Sequence, residues 1–245
     1  MVGLQTKKEE IETTERKLIS RLHWLPAPAG LFLAGLKDDP AWLTAELSDL
    51  FSPRELDGRD RTADAAARSW FLGRLAAKAA AGRRWRLPLD SAEIRPGPEG
   101  RPWSFRLEAA TPDGFISLSH TSGAAAAVAA AVPVGLDLEL RDRPISDRVW
   151  TWVFTPAERS LAAGETAGFP SRLALWCAKE AAAKSWGRGL LNNLDRVRVT
   201  GADWPSGRLT AAWLGPKRAE GRVSLLKWDD YLLALAQSET DGLAL

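Results

Sequence analysis

Two carboxylates stand two residues apart in the segment Val134–Leu140, which reads VGLDLEL. Successive side chains of a strand point to opposite faces, so Asp137 and Glu139 are expected on one face and the leucines on the other. Neighbouring carboxylates repel each other, and such a pair needs a cation, a proton or full solvation. A half-exposed sheet with an acidic outer face gives the same pattern. This segment alone therefore leaves a metal site and a solvated face open.

A second candidate group lies in the segment 171–186, SRLALWCAKEAAAKSW, which has the clearest helical pattern of the chain. Trp176, Glu180 and Lys184 follow one another at intervals of four residues, so they form one stripe of the predicted helix. The alanines at 181–183 permit close approach by another element. A surface Glu–Lys pair worth a few tenths of a kcal/mol (~0.2–0.5) explains the same spacing. Both interpretations remain open at this point.

Two further segments carry groups that suit phosphate oxygens. Ser119 and His120, in the run SLSHTSG, supply a hydroxyl, an imidazole and backbone N–H donors at a predicted strand end. Arg101 is a cation on a Gly-Arg-Pro turn. A structural histidine and a solvated loop charge are the alternative interpretations. A serine hydrolase is disfavoured, because no G-x-S-x-G elbow accompanies these residues.

The bulk composition is typical of a soluble globular protein. The chain has 245 residues, of which 45% are hydrophobic and 26% charged, and a formal net charge of +2. No long basic run is present, which argues against a nucleic acid partner. A single cysteine, Cys177, excludes an internal disulfide, and the charged N-terminus does not resemble a signal peptide. These features predict a cytoplasmic protein.

The segment 114–136 lacks Asp, Glu, Lys and Arg over a length that could span a bilayer. Much of it is alanine, which contributes little transfer free energy, and it contains several hydroxyl residues, a histidine and Pro133. We interpret it as buried strands and expect no membrane partner. The turn residues before the alanine run and the proline after it favour a returning strand at 124–132 over a helix.

The other elements follow from caps and periodicity. Serine or threonine followed by proline predicts helix starts at Ser52-Pro53 and Thr155-Pro156, and Ser171 is the predicted N-cap of the long helix. Gly187 and Gly189 are expected to end that helix. The remaining predicted elements are a buried strand region at 24–36, a helix at 62–81, and strands at 115–119, 134–140, 195–200, 208–213, 222–228 and 231–236.

These elements predict an α+β protein with two similar subdomains packed side by side, each containing a strand region and a long helix. We assign a charged N-terminal tail to residues 1–23, an N-terminal subdomain to 24–132, and a C-terminal subdomain with the acidic site to 133–245. No short internal repeat is evident in the sequence.

Four motifs occur in a fixed order: Gly-Arg-Pro at 100–102, S-x-S-H at 117–120, G-x-D-x-E at 135–139 and W-x-x-K-E-A-x-x-K at 176–184. This combination resembles the 4'-phosphopantetheinyl transferase superfamily, and the spacing resembles its larger, monomeric, surfactin-synthetase-activating type. The last two motifs are the defining motifs of that family. The resemblance covers roughly residues 50 to 236. It implies a pseudo-twofold relation between two subdomains, each a small, mainly antiparallel sheet with a long helix.

The resemblance implies an enzyme that transfers the phosphopantetheine arm of coenzyme A to a serine of an apo acyl or peptidyl carrier protein. The second product would be adenosine 3',5'-bisphosphate. Attack on the β-phosphorus of a pyrophosphate requires charge neutralisation, a positioned nucleophile and removal of its proton. Mg²⁺, a hard cation that takes oxygen ligands, is the metal implied.

The resemblance also implies residue roles. Asp137, Glu139 and Glu180 would be the Mg²⁺ ligands, and Glu180 would also be the base for the incoming serine. Lys184 would hold the pyrophosphate. The expected contacts of coenzyme A are Lys184, Ser119, His120, Arg101, Arg68 and Arg61. Asp137, Glu180, Lys184 and His120 form the expected catalytic set.

Two competing functions differ in a testable way. A Mg²⁺-dependent phosphohydrolase would use water in place of a carrier serine, but such enzymes usually display a Walker loop or a denser aspartate motif. A non-catalytic relative would be expected to have lost acids of the metal site, whereas the three acids and Lys184 are all present.

Overall fold

A computed structural model describes residues 2–37, 49–57, 64–97, 102–107, 112–163, 166–189, 193, 195–216 and 218–238. The chain divides into two compact units, Met1–Ala131 and Val132–Leu245, which we call the N-terminal unit and the C-terminal unit. Within the described ranges, no helix is both long enough and apolar enough to cross a bilayer.

The N-terminal unit contains one mainly alanine- and leucine-lined sheet and a long helix. Its sheet has the antiparallel order β1-β2-β6-β5-β4-β3. The elements, in chain order, are α1 Val2–Ile19, β1 His23–Leu25, β2 Phe32–Lys37, α2 Pro53–Asp57, α3 Asp64–Trp85, β3 Ala92–Pro96, β4 Pro102–Arg106, β5 Gly114–Thr121 and β6 Ala124–Ala130.

The C-terminal unit repeats most of this order of elements. Its sheet has the antiparallel order β7-β11-β10-β9-β8, so its first and last strands are neighbours. In the N-terminal unit, the second strand, β2, and the last strand, β6, are neighbours. The elements are β7 Val134–Leu140, α4 Asp147–Val153, α5 Pro156–Leu161, α6 Ser171–Ser185, β8 Val197–Asp203, β9 Arg208–Trp213, β10 Ala219–Trp228 and β11 Tyr231–Ser238. The predicted α+β class, with an antiparallel sheet and a long helix in each unit, is confirmed.

Helix α1 lies in the segment that we assigned as a charged tail, and it is packed on one side. Leu18 is fully buried and Ile11 packs against the same core. The carboxylate of Glu15 accepts a hydrogen bond of 3.1 Å from the backbone N–H of Leu89. Positions 11, 15 and 18 lie on one face of a helix, which is why a segment of such high charge can still be anchored.

The alanine run forms strand β6, as the flanking turn residues predicted. Every residue of Ala124–Ala130 is buried between β2 and β5. A central strand buried on both faces favours small or apolar side chains throughout, so the sequence shows no alternation there. Alanine has a high helix propensity, and here the tertiary packing of the sheet overrides it.

The predicted cap residues are correct for two helices and wrong for one. Ser52 and Thr155 cap α2 and α5, and each forms a reciprocal capping box with the glutamate three residues later. The N-cap of α6 is Pro170, whose side chain cannot accept a hydrogen bond, so Ser171 is the first helical residue rather than the cap. At the other end of α6, Gly187 adopts a φ of 73°, which a residue with a Cβ rarely adopts.

The glutamate of the α5 capping box makes the C-terminal unit sensitive to acid. Burial by itself would raise the pKa of Glu158, but hydrogen bonds from Thr155 and Val199 and the charge of Lys179 lower it below the ordinary 4.5. In the native protein, the Glu158 carboxyl therefore binds fewer protons than it does in the unfolded chain. Its contribution to the free energy of unfolding is complete above pH 4.5 and is lost as the pH falls through the native pKa.

We therefore expect the free energy of unfolding to fall on acidification below this pH. Glu158→Gln should lower it by about 3–5 kcal/mol at pH 7, because Lys179 is left buried without its partner. The same variant should show a weaker pH dependence between pH 5 and pH 3, measured by urea unfolding. Glu220→Gln, at an exposed position, is the control. An unchanged pH dependence in Glu158→Gln would contradict this account.

Candidate active site

Strand β7 and helix α6 approach each other closely because Gly135 has no side chain. A Cβ at position 135 would lie 1.8 Å from the carbonyl oxygen of Ala181 and 2.5 Å from the backbone nitrogen of Ser185. Real Cβ atoms do not come within 3.0 Å of such atoms. The glycine of the G-x-D-x-E segment and the alanines of α6 thus bring the two backbones together, and this positions the side chain of Asp137 against the helix.

Asp137 and Lys184 form the centre of the contact between the two elements. The Lys184 ammonium donates hydrogen bonds of 2.9 Å to Asp137 Oδ1 and 2.9 Å to the carbonyl oxygen of Leu136. The Asp137 side chain is only 7% exposed, whereas that of Lys184 is 30% exposed. The acidic face of β7 is therefore not a solvated outer face: Asp137 is a buried carboxylate paired with a cation that still reaches solvent.

Burial and nearby charges shift the pKa values of two residues of α6, Glu180 and Lys184. Burial and the negative charge of Asp137 raise the pKa of Glu180, although Lys184 and Arg143 partly oppose this. Burial alone would lower the pKa of Lys184, but the charge and hydrogen bond of Asp137, together with the charge of Glu180, leave it raised. Asp137, Glu180 and Lys184 thus form one coupled electrostatic group.

Glu139 has a different partner from Asp137. Its carboxylate forms an ion pair with the guanidinium of Arg143, four residues later in the chain. The Arg143 guanidinium also lies 5.9 Å from the ring centroid of Trp176, on the predicted stripe of α6. Glu139 is therefore next to the group formed by Asp137 and Lys184, but it is held by an arginine.

The site offers two carboxylates, those of Asp137 and Glu180, whose oxygen atoms are suitable ligands for Mg²⁺. Within the described ranges, no group of three or more His, Cys, Asp and Glu side chains has the arrangement needed to hold a metal ion. Mg²⁺ is commonly bound by one or two carboxylates, with water and substrate phosphate completing its shell. Asp137 and Glu180 offer hard oxygen donors, and the negative charge of Asp137 adds to the effect of burial in raising the pKa of Glu180. A divalent cation would relieve the repulsion between the two carboxylates.

The other predicted site residues fall in the N-terminal unit. Ser119 is buried near the end of β5, and His120, the next residue, is exposed. Arg68 is an exposed residue of α3. Arg61 and Arg101 lie outside the residues that the structure describes. The roles of all five in binding coenzyme A stay predictions.

Sequence reasoning missed two neighbours of Asp137. Cys177 is completely buried in α6, and burial together with a hydrogen bond to Asp137 raises the pKa of its thiol well above the ordinary value. The backbone carbonyl of Leu136 accepts from Lys184. Helical spacing could have identified the thiol, since Cys177 and Lys184 are seven residues apart and therefore share a face. No sequence signal identifies the carbonyl.

One family model matches this region. Residues 133–236 match the model of the 4'-phosphopantetheinyl transferase superfamily. The matched range begins one residue before β7 and ends within β11, so it contains Asp137, Glu139, Glu180 and Lys184. No curated protein sequence matches the chain. The resemblance is thereby confirmed at the level of the superfamily over these residues, and the surfactin-synthetase-activating subtype stays a prediction.

Proposed function

We propose that this protein is a Mg²⁺-dependent 4'-phosphopantetheinyl transferase of the surfactin-synthetase-activating type. It would move the phosphopantetheine arm of coenzyme A to a serine of an apo carrier protein and release adenosine 3',5'-bisphosphate. One observation carries the proposal. The segment that matches the superfamily is the segment in which β7 and α6 bring Asp137, Glu180 and Lys184 into one electrostatic group.

The proposed reaction is a substitution at the β-phosphorus of coenzyme A. The serine oxygen of the carrier forms a new P–O bond, the bond to the bridging pyrophosphate oxygen breaks, and the leaving oxygen stays on the adenosine bisphosphate. The serine proton goes to the Glu180 carboxylate, directly or through a water molecule. We assign this role to Glu180 from the family resemblance, and a divalent cation beside it would favour the ionised carboxylate, which is the form that accepts a proton.

Lys184 would stabilise charge on the pyrophosphate. Its ammonium is held at the site by Asp137 and the Leu136 carbonyl, and its partial exposure lets it reach a ligand. Such a preorganised cation stabilises developing negative charge without reorganising during the reaction. Its raised pKa keeps it charged at neutral pH.

Mg²⁺, when bound, would neutralise pyrophosphate charge and polarise the phosphoryl group. Asp137 and Glu180 would hold it, with Glu139 as a third ligand once its carboxylate leaves Arg143. We further propose that coenzyme A phosphates are contacted by the residues of the N-terminal unit assigned from the resemblance: Ser119, His120, Arg61, Arg68 and Arg101. We also propose that the protein is a monomer, that it acts in the cytoplasm, and that its acceptors are acyl or peptidyl carrier proteins.

The test separates transfer from hydrolysis by its requirement for a carrier. With coenzyme A and Mg²⁺, adenosine 3',5'-bisphosphate should form only when an apo carrier with an intact acceptor serine is present. A carrier with that serine replaced by alanine is the matched control. Release of the bisphosphate with no carrier would instead support a phosphohydrolase. No release under any of these conditions would support a non-catalytic relative.

A further inference from the structure

We propose that the buried ion pair between Lys179 and Glu158 is a positioning device that fixes helix α6 so that Glu180 faces β7. This inference rests on the proposed function, because it concerns the orientation of the proposed base. Lys179 directly precedes Glu180 in the chain but points into the unit, away from the proposed reaction centre.

The pair ties α6 to three other parts of the C-terminal unit. The Lys179 ammonium, with no exposed surface, donates to Glu158 Oε1 at 3.0 Å and to the carbonyl oxygen of Val153 at 2.9 Å. The same Glu158 oxygen accepts from the backbone N–H of Val199 at 2.9 Å. Its second oxygen accepts from the backbone N–H of Thr155 at 2.9 Å. One carboxylate therefore joins α6, the start of α5 and strand β8.

Helix α6 is thus held from two directions. On the side of β7, Lys184 is bound to Asp137, and Ala181 packs against the backbone of Gly135. On the side of α5 and β8, Lys179 is bound to Glu158. The apolar residues of α6 also pack into the core of the unit, but such packing is not directional. Two contacts on different sides fix the direction in which Glu180, between them in sequence, projects.

The same device occurs in the N-terminal unit, which supplies a control within the molecule. Segments 51–55 (FSPRE) and 154–158 (FTPAE) have the same pattern of phenylalanine, hydroxyl residue, proline and glutamate. The Lys78 ammonium of α3 is 2.9 Å from Glu55 Oε2, and both side chains are buried. This repeat is not evident in the sequence, because the pattern is only five residues long and its lysine lies more than twenty residues away in each unit.

The equivalence extends to the contacts of both partners. Glu55 Oε1 accepts from the backbone N–H of Ile94 in β3 at 3.1 Å, as Glu158 does from a residue of β8. Each lysine also lies over the phenylalanine of its own segment, at 5.2 Å for Lys78 over Phe51 and 5.0 Å for its counterpart in the C-terminal unit. The two units therefore share the glutamate and phenylalanine contacts of a buried lysine, although Lys78 also donates to the carbonyls of Leu89 and Ala92 and Lys179 to that of Val153.

The two units differ in the residue that follows the buried lysine and in the strand that faces its helix. Ala79, a buried core residue, follows Lys78, whereas Glu180 follows Lys179. Strand β2 presents apolar side chains, including Leu36, to the core beneath α3, whereas β7 presents Asp137 to α6. The ion pair is thus part of the fold in both units. Among the described residues, the acid beside it in the N-terminal unit is the buried Glu93, which is paired with Arg95, whereas in the C-terminal unit the pair adjoins the proposed base Glu180.

The test compares Lys179→Met with Lys78→Met. Both variants remove a buried lysine and leave its glutamate buried without a partner, so each should lower the free energy of unfolding. We expect Lys179→Met to lower kcat about 10²-fold, since a displacement of about 1 Å has that effect, with KM for coenzyme A changed less than about threefold. Lys78→Met should keep kcat within about threefold of wild type. Equal losses of kcat in the two variants would overturn the inference.

Two double variants keep the test valid if the single ones fold poorly. Glu158→Gln/Lys179→Met and Glu55→Gln/Lys78→Met remove both charges of a pair, which costs much less stability than removing one. Crystal structures of these variants give a readout that does not depend on activity. The Glu180 carboxylate should be displaced by about 1 Å or more only in the first. An unmoved Glu180 would overturn the positioning role, whereas a wild-type protein that modifies no carrier would contradict only the proposed function.

Discussion

Asp137→Asn is expected to lower phosphopantetheine transfer by about 10²- to 10³-fold, the loss seen when one preorganised electrostatic group is removed from an active site. The amide keeps the size of the carboxylate but offers no charge to a cation or to the Lys184 ammonium, which is now 2.9 Å from Asp137 Oδ1. Initial rates with saturating coenzyme A, Mg²⁺ and apo carrier measure the effect.

The control for this variant is Asp195→Asn, which changes an exposed aspartate of the same unit. Its rate should equal that of the wild type. The far-UV circular dichroism of Asp137→Asn should also match the wild type, since Lys184 is partly exposed and water can solvate it once its partner is neutral. Undiminished transfer by a folded Asp137→Asn protein would remove this residue from the site.

Gly135→Ala is expected to lower the free energy of unfolding by at least about 3 kcal/mol, the upper part of the range for overpacked interiors. The new methyl group would meet the carbonyl of Ala181 at 1.8 Å, and both neighbouring atoms belong to a helix backbone that cannot rotate away. Strand β7 would have to separate from α6, which would pull Asp137 from Lys184. Transfer activity should fall with stability, measured by urea unfolding and initial rates.

Gly189→Ala is the matched control, since a Cβ at that position would meet no atom within 4 Å. Its stability and its transfer rate should remain at wild-type values. If Gly135→Ala were as stable and as active as Gly189→Ala, the close approach of β7 and α6 would not be what builds the site.

The local sequence predicts much of this fold because caps and turns act over a few residues. Ser52 and Thr155 start helices where their sequence context indicates, and the turn at 122–123 correctly predicts that the alanine run returns as β6. Strand β7 has the predicted bounds. In each case, the deciding interaction joins residues that are near one another in the chain.

Contacts between distant segments account for what the sequence did not reveal. In the sequence, the two buried ion pairs, Lys78 with Glu55 and Lys179 with Glu158, look like ordinary surface charges. The burial of each lysine depends on a strand that lies further along the chain, β3 or β8. The arginine partner of Glu139 is close in the chain, but no sequence pattern indicates it, because Arg143 lies in the turn after β7, outside any helix or strand. Only the three-dimensional arrangement distinguishes these roles.

The mass of an apo carrier protein tests the central claim most directly. After incubation of the wild-type chain with coenzyme A, Mg²⁺ and the carrier, intact-protein mass spectrometry should show a gain equal to one phosphopantetheine arm on the acceptor serine. The gain should be absent without Mg²⁺. Unchanged masses for a set of diverse apo carriers, each modified by an established transferase in parallel, would contradict the account.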